Sequence, residues 1–209
     1  MARKSSDGDK RIIKAAIDLA HKKGLSGFSV RELCSKAKVN SGMFNYYFKK
    51  KEYLNECVLK TIYADMIKQI ELNVSPSKNP KENITEILYA LSSFIKNNRT
   101  IISAFAGDVL SLNITDKKIF GNFTAHLKAL AEELSKAKKQ KMLVTNSVTN
   151  AILILVAPFV IPQMILGTLE RMNINKPIEL YAFNSGEFDS TTDERIKIAV
   201  NSVFKERIK

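Results

Sequence analysis

Few side chains in this sequence carry groups that catalysis or metal binding needs, and none stands in a pattern that would use them. The two histidines, His21 and His126, and the two cysteines, Cys34 and Cys57, are scattered along the chain without the paired spacing of a zinc site. There is no Gly-rich phosphate cradle and no serine on a strand-to-helix elbow. An enzyme, a metal ion and a bound cofactor are therefore not expected. Both cysteines fall inside helix-like patterns and make no disulfide framework, which points to a reducing cytosol. Met1–Arg11 is polar and charged, so no secretory leader is expected.

The chemistry that is present is recognition of a polyanion. The chain of 209 residues has a formal net charge of +12. Residues 1–60 hold 14 Lys and Arg against 6 Asp and Glu, a difference of +8, and the remainder carries only +4. Such a segment is either an electrostatic footprint for nucleic acid or a solvated basic surface. Within it, Ser41, Gly42, Met43, Asn45, Tyr46 and Tyr47 stand between Val39 and Phe48 and are followed by Lys49, Lys50 and Lys51. Small residues let backbone N–H groups approach phosphate. Tyr hydroxyls suit phosphate oxygens, and three consecutive cations flank them.

The elements that position these residues read as helices almost throughout. A first helix spans about 9–23, with Ile12, Ile13, Ala16, Leu19 and Ala20 on one side and Gly24 as its stop. Ser29-Val30-Arg31-Glu32 fits a capping box at the start of a two-turn helix. A tight turn at Lys38-Val39 leads to another short helix, capped by Asn40 or Ser41 and ending near Phe48. Phe44 and Phe48, four apart, turn inward and leave Ser41, Gly42, Met43, Asn45, Tyr46 and Tyr47 towards solvent. Two short helices joined by a tight turn inside a basic unit form a helix-turn-helix, whose second helix can enter a major groove. A longer helix covers about 51–73, and Ser75–Pro80 is the clearest break in the chain. Beyond it, five helices are predicted at about 80–97, 100–112, 116–139, 142–171 and 191–207, with a polar loop at 184–192. Residues 142–169 carry no charge. That stretch could be a membrane span, but Pro158, Pro162 and Gln163 interrupt it and favour a buried helix.

Phe28 to Leu54 resembles the N-terminal signature of the TetR (tetracycline-repressor-like) family. The Val30-Arg31-Glu32-Leu33 start, the Ala37-Lys38-Val39 turn, the Tyr46-Tyr47-Phe48 end and the Lys51-Glu52-Tyr53-Leu54 opening fall in register. The resemblance covers about residues 10–55. It implies an all-α homodimer bound to a double-stranded operator. Residues 1–55 would form a three-helix DNA-binding domain, the helix over 51–73 a link, and 74–209 an effector-binding and dimerisation bundle. Carried over by position, it places DNA contacts at Ser29, Arg31, Asn40, Ser41, Gly42, Met43, Tyr46, Tyr47 and Lys51. Asn45 stands where the family usually has Tyr. Lys38 stands where the turn usually has Gly, and a non-Gly residue with positive φ costs of order 1 kcal/mol.

The expected function is a cytoplasmic regulator, a repressor released by a small, mostly apolar effector. A nucleoid or partner-regulated factor without an inducer is the other reading. Phe105, Asp108, Phe123 and Asn150 are the pocket candidates, with Asn113, His126 and Gln163 as further polar groups near apolar runs. Asn146 and Asn150 could equally meet across a dimer interface. That interface is expected from the uncharged run and the apolar face of the last helix, Ile196, Ile198, Ala199 and Val203.

Overall fold

The computed structural model describes residues 7–111, 124–172 and 189–205, without the side chains of Asp108 and Val109. Nine α-helices fill the described residues: α1 Asp7–Lys23, α2 Val30–Ala37, α3 Ser41–Tyr47, α4 Lys51–Asn73, α5 Pro80–Asn97, α6 Arg99–Leu110, α7 Ala125–Lys139, α8 Val148–Arg171 and α9 Thr192–Val203. One isolated antiparallel bridge joins Leu143 to Phe204.

Two hydrophobic cores organise these helices. The first gathers Ile12, Ala16, Leu19, Leu33, Phe44 and Phe48 from α1–α3 and their edges, closed by Leu54, Val58 and Leu59 of α4. Ile101 of α6 reaches into it. The second is built from α5, α7, α8 and α9 together with Tyr63, Met66 and Ile70 of α4. Helix α4 is thus shared: its first half belongs to the basic unit and its second half to the bundle. At 1.5 Å per residue it spans about 34 Å, which makes it a rigid strut between the two.

Local signals explain the joints. Gly24 ends α1 at φ +76°, its N–H bonded to Ala20 O at 2.9 Å. A Cβ there would lie 2.6 Å from Ala104 Cβ, so Gly24 is required by conformation and by contact. Ser29 caps α2, accepting from the Glu32 N–H at 3.1 Å. The predicted capping box stops at that half, because the Glu32 carboxylate turns to Lys23 Nζ at 2.6 Å. A complete box forms instead at α5, where Asn79 and Glu82 cap reciprocally with Pro80 at the first helical turn. The corner before it is pinned by buried Asn83, whose amide donates to Ser75 O at 2.9 Å and to Glu133 Oε2 at 3.1 Å.

Three predicted boundaries change. The helix expected over 142–171 begins only at Val148, capped by Ser147 Oγ. Met142–Val144 is extended and bonds to the chain end, with Val144 N–H on Val203 O and Lys205 N–H on Met142 O. Consequently the last helix stops at Val203. The helix expected over 116–139 is described only from Ala125. Most of the loop expected at 184–192 lies outside the described residues.

Helix α8 is not the fully buried helix predicted. It buries Ala151, Leu155, Phe159, Gln163, Leu166 and Gly167 and leaves Leu153, Ile154, Ile161 and Ile165 exposed. By length and composition alone it could cross a membrane.

Candidate nucleic-acid interface and bundle cavity

Helix α3 is held by its own first residue. Asn40 is the N-cap, its Oδ1 accepting from the Met43 N–H at 2.8 Å. Of the two capping candidates the structure selects Asn40, so that side chain is committed to the backbone. Phe44 and Phe48 are buried with ring centroids 5.9 Å apart. Ser41, Gly42, Asn45 and Tyr46 are exposed, and together they form a polar face one short helix long.

Met43 and Tyr47 were expected to face solvent with them. They are half-buried against the start of α1, where a Cβ on Gly8 would lie 3.0 Å from Met43 Sδ and 3.1 Å from Tyr47 Cε2. Tyr46 and Tyr47 meet edge to face at 5.0 Å. From α2, Ser29 and Arg31 are exposed beside this face, with the Ser29 hydroxyl already accepting its capping bond.

Lys51 departs most from expectation. Its ammonium donates to the carbonyl oxygens of Ser26 and Phe28 and lies 4.5 Å from the Phe28 ring centroid. It fastens the α1–α2 loop to the start of α4, so a phosphate would have to share a group already at work. Other cations compensate. Lys10, Arg11 and Lys14 are exposed on one flank of α1 and, with Asp7, line a shallow depression. Sequence reasoning counted these charges but passed over their spacing, which places 7, 10, 11 and 14 on one helical face.

The turns at both ends of α3 are left-handed lysines. Lys38 has φ 53° and ψ 48°, as the missing glycine suggested, and Lys49 has φ 58°. No local signal marked Lys49.

Where the two cores meet lies a cavity of about 180 Å³. Leu59, Ile62 and Tyr63 of α4, Phe94 of α5, Ile101 and Phe105 of α6 and Val160 of α8 are among its walls. Its polar feature is a pair: the Tyr63 hydroxyl bonds to Nδ1 of His126. The His126 backbone N–H donates to the same hydroxyl oxygen at 3.4 Å. Burial pushes its pKa down to about 4 and that of Tyr63 up to about 12, so both are neutral at pH 7.

Of the predicted pocket residues, Phe105 lines this cavity. Asp108 and Phe123 lie outside the described residues. Asn150 is not brought to it: it is exposed in the first turn of α8, its N–H on Ser147 Oγ, and lines neither this cavity nor the larger cleft beside α4. Gln163 is buried but serves packing, donating to Asp189 Oδ1 at 3.0 Å. Tyr63 and His126 are 63 residues apart, and no spacing in the sequence linked them.

Comparison with known proteins bears first on the N-terminal unit. Residues 12–56 match the family described as bacterial regulatory proteins, tetR family. Over 97% of its length the chain is 28% identical to a probable HTH-type transcriptional regulator, YttP, of Bacillus subtilis (strain 168), 96% of which is covered. The fold is similar to a tetR-family regulatory protein from Rhodococcus RHA1, with a TM-score of 0.67 and 14% identity over 97% of this chain and 100% of that one. It is also similar to the transcriptional regulator FadR of Bacillus subtilis in complex with stearoyl-CoA, with a TM-score of 0.66 and 18% identity over 92% and 98% of the two chains. Residues 12–56 are therefore a TetR-type helix-turn-helix, and over its whole length the chain is similar to DNA-binding transcriptional regulators rather than to enzymes.

Proposed function

We propose that this regulator is a cytoplasmic homodimeric repressor that leaves its operator when a small, mostly apolar effector fills the bundle cavity. The observation that carries this reading is the cavity itself, with apolar walls, one hydrogen-bonding pair and three wall residues on the strut helix α4. A ligand there pushes on the element that sets where the DNA-binding unit stands. Ligand cavities usually measure roughly 300–1,000 Å³, so about 180 Å³ favours a compact molecule over a long acyl chain like that of the FadR ligand. A factor without an inducer would have no use for the space.

Ser41, Gly42, Asn45 and Tyr46 contact DNA directly in this reading, with Ser29 and Arg31 beside them. Asn40, Met43, Tyr47 and Lys51 mainly hold the helix and its loop in place. The apolar stripe Leu153, Ile154, Ile161 and Ile165 of α8, with Ile198 of α9, is covered by a second copy. The other residues predicted for that interface, Ile196, Ala199 and Val203, are spent on the chain's own core. A two-fold dimer places the recognition helices about 34 Å apart, one turn of DNA.

A compound panel screened by thermal shift and then titrated against protein alone and against the operator complex tests this. Linkage requires operator DNA to weaken effector binding as much as effector weakens operator binding; a hundredfold factor is about 2.7 kcal/mol. A ligand that binds both forms equally, or that still binds protein in which Phe105→Trp has filled the cavity, overturns the reading. Light scattering should give about twice 23.5 kDa; a monomer removes the operator geometry.

A further inference from the structure

We propose that the cleft between α1, α4 and α5 is a second ligand site, which takes a compact organic cation and ties the DNA-binding unit to the bundle. Its volume is about 550 Å³, within the usual range for ligand sites. Its walls come from both units: Ile17 and His21 from α1, Asp65 and Gln69 from α4, Glu86 and Tyr89 from α5.

The wall chemistry selects the charge. Asp65 and Glu86 are its carboxylates, and no Lys or Arg among the described residues lines it, in a chain whose net charge is +12. Burial lowers the His21 pKa against the opposing pull of Asp18, which favours the uncharged imidazole. Glu86 keeps an ion pair with Lys78 Nζ at 3.1 Å, whereas Asp65 has no ion pair among the described residues. Tyr89 and Phe94 add aromatic rings, which attract alkylammonium and guanidinium groups. The side-chain amides of Gln69, Asn97 and Asn98 offer carbonyl oxygens to N–H donors.

The position makes such a ligand consequential. Helix α1 is already fastened to α6, where His21 Nδ1 meets Thr100 Oγ1 at 3.2 Å and Gly24, just past the helix end, packs on Ala104. Towards α4 and α5 it faces the open cleft. A molecule bridging Ile17 and His21 to Asp65 and Glu86 fixes that second flank. Ile62 and Phe94 line both the cleft and the bundle cavity, so occupants of the two spaces press on one wall and their binding is coupled.

The test is calorimetric titration of the full chain with benzyltrimethylammonium and with agmatine, using benzoate and benzyl alcohol as anionic and neutral controls. At least one cation is expected to bind saturably, at one per chain, with neither control doing so. Asp65→Asn combined with Glu86→Gln should weaken that binding roughly tenfold or more. Ser93→Trp, which fills the cleft from an exposed position, should abolish it, with helicity confirming the fold of both variants. If neither cation saturates, or if binding survives both variants, the cleft is not a cation site.

Discussion

The two units differ in what they leave unfinished. The N-terminal unit closes its core with short-range devices, a capped α2, a capped α3 and the Phe44–Phe48 pair, and leaves a polar helix face in water. The bundle closes its core with long-range contacts and leaves a space inside and an apolar stripe outside. A surface that must match the fixed shape of DNA gains from rigidity. On the proposed function, a cavity that admits a ligand and moves a strut cannot be packed to the density of an ordinary core. The contrast on that reading is between one unit that presents and one that responds, and it can be tested by breaking each in turn.

The largest effect should come from Phe44→Ala. The ring is 2% exposed at the centre of the first core, and its loss costs about 3–5 kcal/mol. Operator binding should vanish while most helical signal persists, because the second core keeps its own contacts. Loss of both together in one transition would mean that Leu59 and Ile101, which reach into the first core from α4 and α6, bind the two units into one cooperative block.

Next is the pH response of the bundle. The folded pKa of His126 is lowered to about 4 by burial, from 6.5. Between those values the unfolded chain binds more protons than the folded one, so stability falls as pH drops from about 6.5 to about 4 and levels off below. The loss attributable to this group is at most about 3 kcal/mol. Denaturant titrations at pH 7.5 and 4.5 should differ by less in His126→Leu, Tyr63→Phe than in the parent chain. An unchanged difference would place the acid sensitivity elsewhere.

Lys51→Ala separates bracing from binding within the N-terminal unit. Removing the bonds to Ser26 and Phe28 should cost about 1–2 kcal/mol of stability. If the ammonium also meets a phosphate, the slope of log affinity against log salt falls by about one unit. Lower stability with an unchanged slope assigns Lys51 to the loop alone.

How much of this was legible follows the same divide. The helix-turn-helix could be read because its signals lie within a few residues of what they fix: Ser29 before α2, Lys38 after it, Asn40 before α3. Even there, the second half of the Glu32 capping box failed, since Lys23, nine residues upstream, competes for the carboxylate. Met43 and Tyr47 were misplaced because Gly8, at the far end of α1, packs against them. In the bundle, periodicity gave the helices but not their neighbours. Tyr63 and His126 meet only through the α4–α7 contact, and Asn83 and Glu133 through α5 and α7. Sequence distance hid both pairs, and Asn150 looked like a pocket residue for want of them.

The smallest effect offers the sharpest comparison. Lys38 and Lys141 hold the same left-handed conformation, φ 53° and 56°, at the ends of a DNA-unit helix and a bundle helix. Both make the paired bonds of a helix C-terminus: Lys38 N–H to Ser35 O and Val39 N–H to Cys34 O, Lys141 N–H to Lys138 O and Met142 N–H to Ala137 O. Glycine would relieve the Cβ crowding at either site, although its greater freedom in the unfolded chain offsets part of the gain. Lys38→Gly and Lys141→Gly should therefore each stabilise the chain by about 0.5–1 kcal/mol. Their effects on DNA should differ. Lys38 is an exposed cation at the turn leading into α3, and its loss should lower operator affinity and flatten the salt dependence. Lys141 sits at the far end of α7 and should leave both unchanged. If Lys38→Gly stabilises the fold and spares DNA binding, the strain at that turn serves no recognition. If the two variants weaken operator binding equally, the charge of the whole chain, rather than the N-terminal face, attracts DNA.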